Sequence, residues 1–236
     1  MNIAVILAGG SGTRMKMEKP KQFLEICGKP AILYPLETFN ASKHIDKILC
    51  VCAPEWLDKL ETIIRENQIH KVCQIVPGGR KRTDSSWNAL CALKESCTLD
   101  NDIILIHDSA RLLVSEKIIE ANIEKAKEYG CCETVLPVTD TIVQSKDGFC
   151  ADSTPDRNFL FTVQTPQTFL FGKIYSAYNQ FMNESESSIP RHAFTDDAGL
   201  ASFYGNKVFF VSGSKENLKL TTQDDIPLLE AFIHQS

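Results

Sequence analysis

Three glycines and two cations near the start of the chain could meet a polyphosphate. Gly9, Gly10 and Gly12 stand close together, Arg14 follows, and Lys21 lies just beyond in Lys19-Pro-Lys-Gln-Phe23. Without Cβ atoms the backbone turns sharply and brings its N–H groups close to an anion. The two cations would add fixed positive charge. An ordinary glycine-rich turn with solvated basic residues would look the same, so the glycines alone leave both readings open. Two further segments carry chemistry-bearing side chains: Gly78-Gly-Arg-Lys-Arg-Thr-Asp-Ser85 and Asp108-Ser-Ala-Arg111.

These segments need elements to position them. Ile3 to Ala8 is an apolar run with β-branched residues, the pattern of a strand buried on both faces. Lys47–Cys52, Val72–Val76, Ile103–His107 and Thr134–Val138 repeat it, and Lys207–Val211 is a late strand. Helices are expected from Pro30 to Phe39, from Pro54, through Trp87 to Leu93, from Glu116 to Tyr129, and from Phe171 to Met182. Ser115 can cap the fourth and Gly130 can end it. Thr195 and Thr222 read as caps of two later helices. Alternating strands and helices predict an α/β fold: a doubly wound, mostly parallel, Rossmann-like sheet. In such sheets ligands bind beyond the carboxyl ends of the strands, where all three segments fall. The segment from Asp140 to Gln164, with Asp147-Gly148 at its centre, reads instead as an antiparallel hairpin arm. It is too short to stand alone, and either packs on its own sheet or reaches a second copy of the chain.

Composition excludes several classes. The 236 residues are 43% hydrophobic and 23% charged, with a net charge of -5. That suits an enclosed core and argues against nucleic-acid binding. No apolar run approaches the ~20 residues of a membrane helix. Nine cysteines without a paired CxxC point to buried thiols in a reducing, cytoplasmic setting. His107 reads as a packed strand-end histidine, and Arg80-Lys81-Arg82 as a mostly solvated rim. A dinucleotide fingerprint would need glycine where Met15 stands, and a P-loop would need Gly-Lys-Ser/Thr; neither fits.

Read in order, the motifs resemble the polyol-phosphate cytidylyltransferases. They are Leu-Ala-Gly-Gly-x-Gly-Thr-Arg-Met, Pro-Lys-Gln-Phe, Gly-Gly-x-x-Arg-x-x-Ser, His-Asp-Ser-Ala-Arg, Asp-Thr-Ile, Pro-Asp-Arg, Gln-Thr-Pro-Gln, Thr-Asp-Asp-Ala and Glu-Asn-Leu-Lys-Leu-Thr-Thr. The likeness runs from Ile3 to about Asp225. It implies a single nucleotidyltransferase domain over residues 1–236, with a dimerisation arm at about 138–164. It also implies attack of a sugar-alcohol phosphate on the α-phosphate of CTP, with pyrophosphate leaving and Mg²⁺ as cofactor. The nucleophile would already be an anion, so no Ser-His or Cys-His pair is required. The barrier would come from bringing two polyanions together, so positioning and fixed charge would carry the reaction. Loss of one fixed donor would cost roughly 3–4 kcal/mol of barrier.

The same resemblance assigns roles. Arg14, Lys21, Arg157 and Lys219 would be catalytic. Leu7, Ala8, Gly9, Gly10, Gly12, Gly79, Ser85, Asp108 and Ser109 would bind the nucleotide, and Asp108 is the metal candidate. Arg111, Thr141, Arg157, Thr165, Thr195 and Lys219 would bind the polyol phosphate. Thr141 and Arg157 would reach the neighbouring site of a homodimer. Leu112 replaces a proline usual in the family, and Arg80 stands where relatives often have an acid. Some motifs lean toward a ribitol-phosphate class, others toward a methylerythritol-phosphate class, and the reading favours the latter. A sugar-1-phosphate nucleotidyltransferase using another NTP, and a non-catalytic nucleotide-binding protein, are the competing functions.

Overall fold

The computed structural model describes residues 1–10, 19–96, 98–185, 189 and 193–235. Nine strands alternate with seven helices among them. In chain order these are β1 (Asn2–Ala8), β2 (Glu25–Ile26), β3 (Lys29–Pro30), α1 (Leu33–Ala41), β4 (Lys47–Cys52), α2 (Leu57–Glu66), β5 (Val72–Pro77) and α3 (Arg82–Glu95). Then come β6 (Ile103–Asp108), α4 (Glu116–Tyr129), β7 (Cys131–Pro137), β8 (Phe161–Leu170), α5 (Phe171–Asn183), α6 (Asp197–Phe203), β9 (Phe209–Ser212) and α7 (Asp225–Gln235).

Seven of the strands form one sheet in the order β5-β4-β1-β6-β8-β7-β9. All neighbours are parallel except β8, which runs antiparallel to β6 and β7. β1 shows why the sheet is covered on both faces. Ala4, Ile6 and Ala8 enter a core with Leu36, Phe39, Leu60 and Ile119, while Ile3, Val5 and Leu7 enter another with Leu90, Tyr178 and Phe181. Side chains alternate across a strand, so an unbroken apolar run must bury both faces. A third, smaller core joins Leu24 and Ile26 to Ala110, Leu112, Leu220 and Leu229. Leu112, the departure from the family's proline, is 1% exposed in it.

Several expectations need correction. The helix expected from Pro30 begins at Leu33, because Pro30 pairs with Glu25 in the two-stranded β2–β3 sheet. Residues 140–156 form no strand; their pairing is one isolated antiparallel bridge between Gln144 and Ser153. The returning strand begins at Phe161 and continues through Gln164-Thr-Pro-Gln167 into the middle of the sheet. A proline cannot donate to a ladder, and Pro166 is accommodated at an irregularity. There Thr134 alone stands opposite Gln164, Thr165 and Pro166. Helix α6 is capped by Asp196, whose carboxylate accepts from the Gly199 N–H at 2.8 Å, not by Thr195. At α7 it is the Asp225 carboxylate that accepts the Thr221 and Thr222 N–H groups, both at 2.7 Å. The α4 boundaries match expectation: Ser115 caps it and Gly130 ends it at φ 87°.

Candidate active site

The carboxyl ends of β1, β5 and β6 open on a cavity of about 500 Å³, a size typical of small-ligand sites. Leu7, Gly9 and Gly10 form one wall, Gly79 and Ser85 another, and Asp108 and Ser109 a third. Lys21 and Lys219 reach the same cavity from elsewhere in the chain. Ala8 lies buried just behind the wall. Gly12 and Arg14 lie outside the described residues.

Local hydrogen bonds set the walls. The Gly78 N–H donates to the Cys52 carbonyl at 2.7 Å, so the turn continues the β4–β5 ladder. The Gly79 N–H donates to Ser85 Oγ at 3.1 Å, which folds the turn onto the start of α3. The Gln22 side chain donates to the carbonyls of Ala8 at 2.7 Å and Gly10 at 3.2 Å, fastening the Lys21 segment to the first glycine turn. Lys21 Nζ donates to the Leu220 carbonyl at 2.9 Å. The Leu220 N–H donates to the Ala110 carbonyl at 2.8 Å, and Lys219 forms a bridge with Arg111. Three segments remote in sequence are thereby laced together around two ammonium groups.

Asp108 is the electrostatic centre. Its Oδ2 stands 2.6 Å from Lys219 Nζ and its Oδ1 3.3 Å from Arg82 Nε. Burial alone would raise its pKa, but the Arg82 and Lys219 cations hold the carboxyl well below the usual range. Its backbone N–H, which a continued ladder would pair, donates instead to Thr165 Oγ1 at 3.1 Å. Thr165 Oγ1 in turn lies 3.1 Å from His107 Nδ1, and His107 Nε2 lies 2.9 Å from the Arg111 carbonyl. A carbonyl only accepts, so Nε2 carries the ring proton and the threonine hydroxyl donates to Nδ1. Burial lowers the His107 pKa to about 4, so the ring is neutral and acts as a strut.

The remaining predicted residues are not brought to the cavity wall. Arg111 is buried, its guanidinium donating to the carbonyls of Asn217 at 2.8 Å and Val163 at 3.0 Å. Thr165 sits behind Asp108. Thr141 and Arg157 are exposed on the segment between β7 and β8, where Arg157 donates to the Thr139 carbonyl at 3.0 Å. Thr195 is exposed ahead of α6.

Sequence reading missed Arg82. It does not belong to a solvated rim: it turns inward, on the cavity wall, with Nη1 2.6 Å from Asp197 Oδ2. Asp197 is fully buried and accepts from the Tyr178 hydroxyl at 2.6 Å. The signal was present, since Arg82 is the arginine of Gly-Gly-x-x-Arg-x-x-Ser and Asp197 the second acid of Thr-Asp-Asp-Ala. Gln22 was likewise visible in Pro-Lys-Gln-Phe.

The donor set bears on a metal. Among the described residues no group of three or more His, Cys, Asp or Glu side chains could hold one. Asp108 and Glu55 are the carboxylates on the described lining, and both oxygens of Asp108 face cations. A magnesium ion held largely by phosphate oxygens would need no more than one or two protein carboxylates and no such cluster.

A doubly wound sheet with glycine turns, Lys21, Lys219 and Asp108 gathered at its strand ends defines a nucleotide-handling α/β protein. Its glycine turns stand beside separate cations, without the Gly-Lys-Ser/Thr of a P-loop. The chain belongs to the IspD family, whose model, described as 2-C-methyl-D-erythritol 4-phosphate cytidylyltransferase, matches residues 2–235. It is thus an enzyme of the cytidylyltransferase class, a nucleotidyltransferase. A 2-C-methyl-D-erythritol 4-phosphate cytidylyltransferase of Clostridium perfringens (strain SM101 / Type A) is 40% identical over 232 residues, covering 98% of each chain. A ribitol-5-phosphate cytidylyltransferase of Vibrio parahaemolyticus is 36% identical over 234 residues, covering 99% of this chain and 96% of that one. The crystal structure of the 4-diphosphocytidyl-2C-methyl-D-erythritol synthase of Anaerococcus prevotii superposes with a TM-score of 0.82 at 28% identity. That match covers 99% of this chain and 96% of the other.

Proposed function

We propose that this enzyme transfers the cytidylyl group of CTP to 2-C-methyl-D-erythritol 4-phosphate and releases pyrophosphate. The observation that carries this reading is the gathering of Lys21, Asp108 and Lys219 around one strand-end cavity, in a chain 40% identical to a protein named for that reaction. Lys21, with Arg14, stabilises the charge that grows on the α-phosphate. The backbones of Leu7 to Gly10 and Gly12 hold the triphosphate, Gly79 and Ser85 face the cytosine, and Ser109 lies at the ribose. Lys219 orients the attacking phosphate oxygen, and Asp108 stands between the two substrates. Charge already fixed in place lowers the barrier because nothing need reorganise as the reaction proceeds. Magnesium on the triphosphate supplies further positive charge.

Arg111 is tied to two carbonyls, so its contribution is to shape the segment that carries Lys219. Thr141, Arg157 and Thr195, which do not line the cavity of their own chain, act at the polyol phosphate of a homodimer: the first two reach across from the partner's arm. That arm carries Phe149 at 96% and Phe159 at 80% exposure, apolar surface that a second subunit would cover. A cytoplasmic setting suits the eight described cysteines, all free thiols. Among the described residues no helix is long and apolar enough to cross a membrane.

Ribitol 5-phosphate is the second reading, supported by the 36% identical Vibrio protein named for it. Pyrophosphate release with CTP and Mg²⁺, measured for each polyol phosphate, separates them. The larger kcat/KM is expected for 2-C-methyl-D-erythritol 4-phosphate; a larger value for ribitol 5-phosphate reverses the assignment, and silence with both refutes it.

A further inference from the structure

Lys219 gives one of its three N–H donors to Asp108, 2.6 Å away, and a pull toward the attacking phosphate would loosen that contact. Its release would strip a buried carboxylate of one of its two cations. The side chains concerned form a chain of contacts of alternating charge: Lys219, Asp108, Arg82, Asp197. The ends differ most: the Lys219 side chain is 34% exposed and Asp197 0%, with Asp108 at 13% and Arg82 at 25% between them. The outermost member can change partner, whereas Asp197 at the other end is enclosed. Asp197 is anchored twice more, by the Tyr178 hydroxyl at 2.6 Å and by its own N–H donating to Gln167 Oε1 at 3.0 Å.

We infer that Arg82 is a positioning residue that keeps the Asp108 carboxylate in place and in charge balance while Lys219 turns to the attacking phosphate. The inference rests on the role given to Lys219 under the proposed function. Arginine suits this post for a geometric reason. Its Nε faces one carboxylate and its Nη1 the other, whereas a lysine ammonium is one point charge on a flexible stem. Asp108 stays ionised in this setting, so it needs a partner at every stage. A buried charge left without one is costly. With Arg82 gone, Asp108 would have Lys219 alone and would hold it more tightly, away from the second substrate.

The test is a double-mutant cycle of Arg82→Gln and Asp108→Asn, read as KM for the polyol phosphate, kcat, and CTP Kd by calorimetry. In the Asp108-containing enzyme, Arg82→Gln should raise the polyol-phosphate KM about tenfold, with a smaller change in CTP Kd. In the Asp108→Asn background no carboxylate competes for Lys219, and the same substitution should change that KM less than about twofold. An equal change in both backgrounds, or an unchanged KM in the single variant, overturns the inference. If circular dichroism shows Arg82→Gln unfolded, Arg82→Lys carries the cycle. It should raise KM by about threefold, and only where Asp108 is intact. Wild-type enzyme inactive with every polyol phosphate overturns the proposed reaction and this inference with it. Active wild type with an additive cycle overturns this inference alone.

Discussion

Glu133 on β7 is the side chain whose protonation opposes that of the site. Burial raises its pKa to about 7, and the nearby Asp196 carboxylate adds to the shift; Gln167 Nε2, 3.3 Å away, partly offsets it. The same Gln167 nitrogen donates to Asp196 Oδ2 at 2.9 Å, so one amide holds two carboxylates together. The folded state therefore binds a proton more tightly than the unfolded chain, whose Glu titrates near 4.5. Stability from this group is complete below about pH 4.5 and is lost as pH rises toward 7. His107 works oppositely: its folded pKa is near 4 against 6.5, so its contribution is present above 6.5 and lost as pH falls toward 4. Replacing Glu133 by Gln keeps an acceptor for Gln167 and removes the charge. The variant should be more stable than wild type by about 1–2 kcal/mol at pH 8, allowing for partial screening, and nearly equal at pH 4.5. Thermal melts at the two pH values check this; a difference independent of pH would show that Glu133 ionises normally.

At the scale of elements, the turn between β5 and α3 decides how one wall of the cavity is built. A Cβ on Gly79 would stand 2.2 Å from Asp84 Cβ and 3.1 Å from the Asp84 carbonyl carbon. Neither neighbour can yield without moving the first turn of α3, because the Lys81 N–H donates to Asp84 Oδ2 at 3.0 Å. Gly79→Ala should therefore break the contact from the Gly79 N–H to Ser85 Oγ and raise the CTP Kd about tenfold or more, a loss of about 1.4 kcal/mol. Calorimetry with CTP reads this directly, and an unchanged affinity would place the cytosine elsewhere. The small third core belongs to the same scale. It packs β2 and α7 against the chain on either side of Ala110 and Leu220, which is how Lys21 and Lys219, about two hundred positions apart, come to share one cavity.

For the whole molecule, the segment between β7 and β8 raises the question of assembly. Val143 is 58% exposed, and Phe149 and Phe159 are more so, although large apolar side chains are usually covered. A homodimer in which each arm lies on the partner would bury them and bring Arg157 to the neighbouring site. Sedimentation should find the wild type at twice the chain mass and the Phe149→Ser, Phe159→Ser double variant shifted toward the monomer, with reduced turnover. A monomeric wild type of full activity would remove the arm from the mechanism.

The amino-acid sequence by itself determined the layering of the fold. Unbroken apolar runs such as Ile3–Ala8 and Ile103–His107 can be satisfied only between two helical layers, and Ser115 and Gly130 bound α4 by their own local chemistry. It also placed Gly9, Gly79 and Asp108 at strand ends, because the strand runs stop there. Only the tertiary structure decided where the returning strand lies. The Gln164–Gln167 stretch contains a proline and looks like a loop, yet it fits the slot between β6 and β7, where an irregularity relieves Pro166 of pairing. Arg82 was read with its exposed neighbours Arg80 and Lys81 as a solvated rim, because the motif that singles it out does not say which way it turns. Its direction was set by two buried carboxylates, Asp108 and Asp197, that reach it from β6 and α6 once the chain has folded. Strand periodicity is a property of adjacent residues, whereas charge compensation depends on partners that folding alone brings together.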